Sequence, residues 1–207
     1  MLCRINNTQL DWPEASLWTV SGLTVSSHQL IWLQGRNGVG KSTWLRIIAG
    51  LLPAKGFICW AKRSCEVLGL QPCFLTLLCE GYSLDDKVVS IIAREYCLRM
   101  GVALAPKDLL QLCTDAGLSF CLDLCWGQLS RGQRQWVALL PCAYVNVAVW
   151  LLDEPFLSLD FCHSMWLNSC INRQLSLGGA VIMSSHDRPC NFSVCVHLQV
   201  SKSVYDA

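Results

Sequence analysis

Residues 35–43 read GRNGVGKST, and the fold turns on whether these glycines hold a phosphate. The stretch fits G-x-x-x-x-G-K-[ST]: Gly35, four residues, then Gly40, Lys41 and Ser42. With Gly at about 7% of average composition, a chance match arises about once in a hundred such chains, so the flanks decide. Upstream, residues 30–34 (LIWLQ) are a short apolar run that stops at Gly35, as a buried strand does. Downstream, STWLRIIAGLL places Trp44, Ile47, Ile48 and Leu51 at helical spacing and closes with Gly50 and Pro53. The loop thus lies between a strand and a helix, the context that phosphate binding requires. In that role Gly35, Arg36, Asn37, Gly38, Val39, Gly40, Lys41, Ser42 and Thr43 would wrap a nucleotide. Backbone N–H groups and the helix dipole would face the phosphates, Lys41 would reach the β- and γ-phosphates, and Ser42 would ligate Mg²⁺.

The same alternation continues along the chain. Residues 65–70 read as a strand ending at Gln71-Pro72. From there to about Leu129 the pattern is helical, with one helix over 84–100 and another over 106–116 capped by Gly117. Strands return at 147–152 (VAVWLL) and 180–183 (AVIM). This predicts one α/β domain over residues 1–207 carrying a helical insert at about 72–129.

Three further groups could do chemistry. The strand at 147–152 delivers Asp153 and Glu154 at its C-terminal end, where open α/β sheets bind ligands. Alone they would be carboxylates ending a strand. Beside a phosphate loop, Asp153 would hold the Mg²⁺ shell and Glu154 would take a proton from the attacking water. LSRGQ, residues 129–133, is locally a helix start in which Ser130 caps and Gln133 reaches back. A helix N-terminus with Ser130 and Gly132 is also an anion site. Gln71 and His186 each follow a strand, and each alone would be an ordinary loop residue.

Composition narrows the classes. Apolar residues make up 53% and charged residues 15%, which suits either an apolar docking face or codon bias in the source genome. A net charge of +1 gives no electrostatic footprint for nucleic acid. The most apolar stretch, residues 136–152, contains Pro141 and Asn146 and reads as a buried helix end and strand, not a membrane span. The opening MLCRINNTQLDW lacks the apolar core of a signal peptide, so the chain is expected to work where it is made. The 14 cysteines include no C-x-x-C and read as small buried hydrophobes in a reducing compartment.

Together, residues 35–42, Gln71, LSRGQ, LLDE, SLD (158–160) and His186 occur in one order at sensible spacing. Over nearly its full length the chain resembles the ATP-binding subunits of ABC transporters, a P-loop NTPase core with a helical subdomain. The resemblance implies ATP and Mg²⁺ as ligands, with Ser42, Asp153 and Gln71 at the metal. It implies catalytic roles for Glu154, His186 and Gln71. The signature Ser130, Arg131, Gly132 and Gln133 would act in trans on ATP held by a second copy, and Asp160 would end the D-loop. An aromatic would stack on adenine, for which Trp12 is the candidate and Trp18 the runner-up. Trp136 and Pro141 stand near positions where the family often has arginines. Pro141 inside a helix would cost roughly 3 kcal/mol or a kink.

LGLQP, WLLDEPFLSLD and GGAVIMSSHDRP are similar, within that family, to the ATPases of cytochrome c maturation, the haem exporters. That implies a homodimer docked on a CcmB-like integral membrane subunit and peripheral to the membrane through it. The face would be cytoplasmic or matrix, in a mitochondrial inner membrane on the strength of the Cys-, Trp- and Leu-rich composition, or otherwise in a bacterial one. A soluble ABC ATPase of the iron–sulfur assembly type, an ABC ATPase for another cargo and a non-hydrolysing ATP-binding module stay open at this stage. A P-loop kinase would have no use for LSRGQ followed by LLDE and His186.

Overall fold

The computed structural model describes residues 2–9, 23–52, 55–60, 73–76, 82–186 and 195–199. The chain divides into two compact units: Met1–Leu75, Asn146–Pro155 and Ile171–Ala207 form the first, and Thr76–Val145 with Phe156–Cys170 the second.

The first unit is built on two sheets. β1 (Cys3–Gln9) pairs antiparallel with both β2 (Leu23–Val25) and β4 (Lys55–Trp60). The larger sheet has the order β5-β6-β7-β3-β8, where β3 is Leu30–Gln34, β5 Cys73–Thr76, β6 Val149–Leu152, β7 Ala180–Ser184 and β8 Cys195–Gln199. β3 runs parallel to β7 and β8, and β6 runs parallel to β7. Every residue of β6 and β7 is buried, which is why these strands are continuous apolar runs and not alternating ones. Ile31, Leu33, Leu151 and Ile182 meet Leu45 and Ile48 of α1 (Lys41–Ile48) in one core. Each such side chain fully buried contributes about 1.5–3 kcal/mol. The parallel pairing of β3, β7 and β6 sends their C-terminal ends to the same edge, and the glycine loop, Asp153-Glu154 and His186 all leave from there.

The second unit is helical. α2 (Val88–Met100) ends in Gly101, whose N–H donates to the Cys97 carbonyl at 2.9 Å, and α3 (Pro106–Asp115) opens on a proline, which suits a first helical turn. α4 (Arg131–Leu139) follows two 3-10 turns. α5 (Phe161–Ser176) begins here, and its residues from Ile171 count with the first unit. Val88, Ile91, Leu118, Trp126 and Trp136 anchor the helical core.

Several expectations change. The helix expected from 84 starts at Val88, because the preceding turn closes on itself through Ser83 N–H to Asp86 Oδ2 at 3.0 Å. The helical unit reaches beyond the expected insert of 72–129, to Val145 and over Phe156–Cys170, because Trp136, Val137 and Leu140 pack into its core. Pro141 is not interior to an α-helix. α4 ends at Leu139, and Pro141 sits in the first turn of the 3-10 helix Leu140–Ala143. There its missing N–H is not needed, and its carbonyl accepts from Tyr144 N–H at 3.1 Å and Val145 N–H at 2.8 Å. The strand expected at 65–70 lies outside the described residues.

Candidate active site

The end of β3 leads into the loop. Gly38 and Gly40 have φ of 71° and 105°, left-handed values that glycine takes without steric cost. Val39 N–H donates to the Arg36 carbonyl at 3.3 Å, and Trp44 N–H to the Gly40 carbonyl at 2.9 Å, so the loop passes directly into α1. Lys41, the first residue of α1, is buried. Its Nζ donates to the Gly35 carbonyl at 2.8 Å and reaches the Arg36 carbonyl at 3.5 Å. Ser42 and Thr43 stand half-buried in the same first turn, while Arg36, Asn37 and Gly38 are exposed.

β6 delivers the acids. Glu154 has φ of 44°, a left-handed conformation that costs a side-chain-bearing residue about 1–3 kcal/mol and persists where neighbours over-determine it. Its N–H donates to Ser184 Oγ at 2.9 Å, and that hydroxyl in turn donates to Asp153 Oδ1 at 2.6 Å. Glu154 Oε1 lies 3.6 Å from Lys41 Nζ and 3.6 Å from His186 Nε2. At that length neither contact is a hydrogen bond, and the one to Lys41 is an ion pair. Trp32 Nε1 donates to the Ser185 carbonyl at 3.0 Å and ties β3 to the segment carrying His186.

The second unit holds the LSRGQ helix. Ser130 Oγ accepts from Gln133 N–H at 3.2 Å, and Gln133 Oε1 accepts from Ser130 N–H at 2.8 Å, a complete capping box. Gly132 lies against the Ser158 carbonyl so closely that a Cβ would stand 2.6 Å from the oxygen. Asp160 Oδ1 accepts from His163 N–H at 2.8 Å and lies 2.9 Å from His163 Nδ1. The His163 N–H, with the ring beside it, holds this carboxyl below its ordinary value. The His163 ring packs on Trp136 with centroids 4.2 Å apart. Ser130, Gly132, Gln133, Trp136, Ser158 and Asp160 line a cavity of about 170 Å³.

Residues 19–157 match the family described as ABC transporter. The chain belongs to the ABC transporter family. Among its curated relatives is the cytochrome c biogenesis ATP-binding export protein CcmA of Dechloromonas aromatica, 33% identical over 180 residues that cover 84% of this chain and 87% of that one. CcmA of Legionella pneumophila is 35% identical over 170 residues, covering 78% and 82%. A dimeric post-hydrolysis ATP-binding cassette bound to ADP and Pi superposes with a TM-score of 0.74, covers 96% of each chain and is 17% identical, a likeness that shows the fold. As an ABC ATPase the chain binds ATP and hydrolyses it on a P-loop α/β core.

Of the residues singled out from sequence, Lys41, Asp153, Glu154 and His186 come together in the first unit. Ser130, Arg131, Gly132, Gln133 and Asp160 belong to the second. Gln71, Trp12 and Trp18 lie outside the described residues. Two residues escaped sequence reasoning. Ser184 is a serine ending an otherwise apolar strand, and His163 stands three residues after Asp160. Neither signal is distinctive without the partner that the fold supplies.

Proposed function

We propose that the chain is the ATP-hydrolysing subunit of an ABC exporter serving cytochrome c biogenesis. One observation carries the hydrolytic part: Glu154 Oε1 stands 3.6 Å from both Lys41 Nζ and His186 Nε2 at the mouth of the phosphate loop. Phosphate oxygens entering the loop compete for Lys41 and draw its ammonium from Glu154 toward the β- and γ-phosphates. Glu154 is then released to accept a proton from water attacking the γ-phosphorus. The bond from that phosphorus to the bridging oxygen breaks, leaving ADP and inorganic phosphate, and His186 holds the γ-phosphate oxygens. Catalysis is mainly positioning and charge stabilisation.

The donor set suits Mg²⁺, since the Ser42 hydroxyl and Asp153 carboxylate are hard oxygen ligands and this ion keeps waters and phosphates as its others. When bound, Mg²⁺ neutralises charge that develops on the phosphates. Gln71 would sense it. Ser130, Arg131, Gly132, Gln133 and Asp160 would complete the site of a second copy, and Trp12 would stack on adenine.

The export role is supported by 33% and 35% identity to proteins named as cytochrome c biogenesis ATP-binding export proteins. Among the described residues no helix is long and apolar enough to cross a membrane. In this reading the chain works with an integral membrane subunit, CcmB-like. It would dock on the helical insert of the single nucleotide-binding domain. The chain would then sit on the cytoplasmic or matrix face. Composition favours a mitochondrial inner membrane, whereas the two relatives are bacterial.

The test uses native cells. Glu154→Gln is introduced, and covalent haem on c-type cytochromes is followed by in-gel haem staining. Covalent haem is expected to collapse while the apo-cytochromes are still made. Normal haem attachment, with hydrolysis abolished in the purified variant, would refute the cytochrome c role and leave an ABC ATPase for another cargo.

A further inference from the structure

We propose that Ser184 is a positioning residue for hydrolysis, locking the Asp153 carboxylate and the Glu154 backbone into one unit. The inference rests on the roles given above to Asp153 and Glu154. β6 and β7 pair in parallel with Leu152 opposite Met183, so the next step of the ladder sets Ser184 beside Asp153. The roles in the resulting bonds are forced. A backbone N–H only donates and an ionised carboxylate only accepts, while a hydroxyl has one proton and two lone pairs. Ser184 therefore accepts from Glu154 N–H at 2.9 Å and spends its proton on Asp153 Oδ1 at 2.6 Å. The second distance is that of a charge-assisted bond. Ser184 is fully buried, so water does not readily take over either contact.

This bridge acts where the backbone is least comfortable. Glu154 has φ of 44°, and the Ser184 bond is one neighbour that holds its N–H in that conformation. The direction of the Glu154 carboxylate follows from that backbone. Through the same oxygen the metal-side acid keeps one carboxylate oxygen fixed toward β7. An apolar residue in keeping with the rest of AVIM would remove the acceptor and the donor together.

Removing the hydroxyl while keeping side-chain shape gives the test. Ser184→Thr and Ser184→Val add the same bulk to a closed site, and only threonine keeps the hydroxyl. With the purified full chain, kcat for ATP is expected to be about 10- to 100-fold lower in the valine variant than in the threonine variant, the usual effect of losing an outer-shell partner. Affinity for a fluorescent ATP analogue, read without turnover, should differ by less than about threefold between the two. In a Glu154→Gln background the gap between the two variants should narrow, because the part of the effect that passes through Glu154 is already lost and only the part through Asp153 remains. Equal kcat in the wild-type background, or parallel loss of kcat and affinity, would overturn the proposal. Should Glu154→Gln alone leave hydrolysis intact, the assignment of Glu154 itself fails, separately from Ser184.

Discussion

Lys41 carries the buried positive charge of the phosphate loop. It is buried, and its Nζ faces two loop carbonyls and the Glu154 carboxylate. A charged hydrogen bond contributes about 1.5–3 kcal/mol, so Lys41→Ala should weaken ATP binding about 10- to 100-fold, measured by titration with a fluorescent analogue. Lys41→Arg should not restore it, since a planar guanidinium does not fit where a compact ammonium turns back over the loop. Gly132 makes a sharper demand. The atom its Cβ would meet at 2.6 Å is the Ser158 carbonyl oxygen, a backbone atom that cannot swing aside like a side chain, and Ser158 itself has φ of 64°. Gly132→Ala is expected to cost about 1–3 kcal/mol of stability by urea titration and to suppress turnover. Retained turnover with unchanged stability would mean that the contact yields freely.

The break after α4 is decided at the level of the element. A proline inside an α-helix would make Pro141→Ala a gain of stability. In the first turn of the 3-10 helix Leu140–Ala143 the ring fits the backbone and also restricts the unfolded chain. Pro141→Ala should therefore lower stability by about 0.4–1 kcal/mol by urea titration, and a gain would return Pro141 to a strained helix. Trp136 works similarly. Near a position where the resemblance implies an arginine is common, an indole is buried with Nε1 donating to the Ala116 carbonyl at 2.9 Å and Trp166 packed 4.5 Å away. Its role is to fill the helical core. The elements legible in the sequence were those whose own residues suffice. LIWLQ, VAVWLL and AVIM are buried on both faces and show as apolar runs, and α1 shows as a helical stripe ended by glycine. β1 was not legible, because CRINNTQ is mostly polar although the strand lies between β2 and β4, with Cys3 and Ile5 buried and Arg4 exposed. The candidate site divides in the same way. The loop and the acids announce themselves by spacing, whereas Ser184 acquires meaning from Asp153, 31 residues earlier in the chain.

At the scale of the whole molecule, each unit has its own core, and the helical core contains groups that must stay neutral. Burial, with Cys121 beside it, pushes the Cys113 thiol from 9.0 up to about 11. Cys121 is also raised by burial, and burial raises the Tyr144 phenol. All three shift in the same direction, and in each the neutral form is the one the fold favours. A value raised in the folded state contributes stability that is complete below the unfolded value and fades as pH climbs through the folded one. For Cys113 that window runs from 9.0 to about 11. The urea midpoint followed by tryptophan fluorescence should thus fall with pH across this window, as unfolding releases protons that the folded core retains. Cys113→Ala leaves a small cavity and lowers the midpoint at every pH, but it removes one of the protons released and should flatten the alkaline slope. An unchanged slope in that variant would mean that Cys113 is ionised as readily in the fold as outside it, and that the closed packing around Cys113 and Cys121 does not exclude the thiolate.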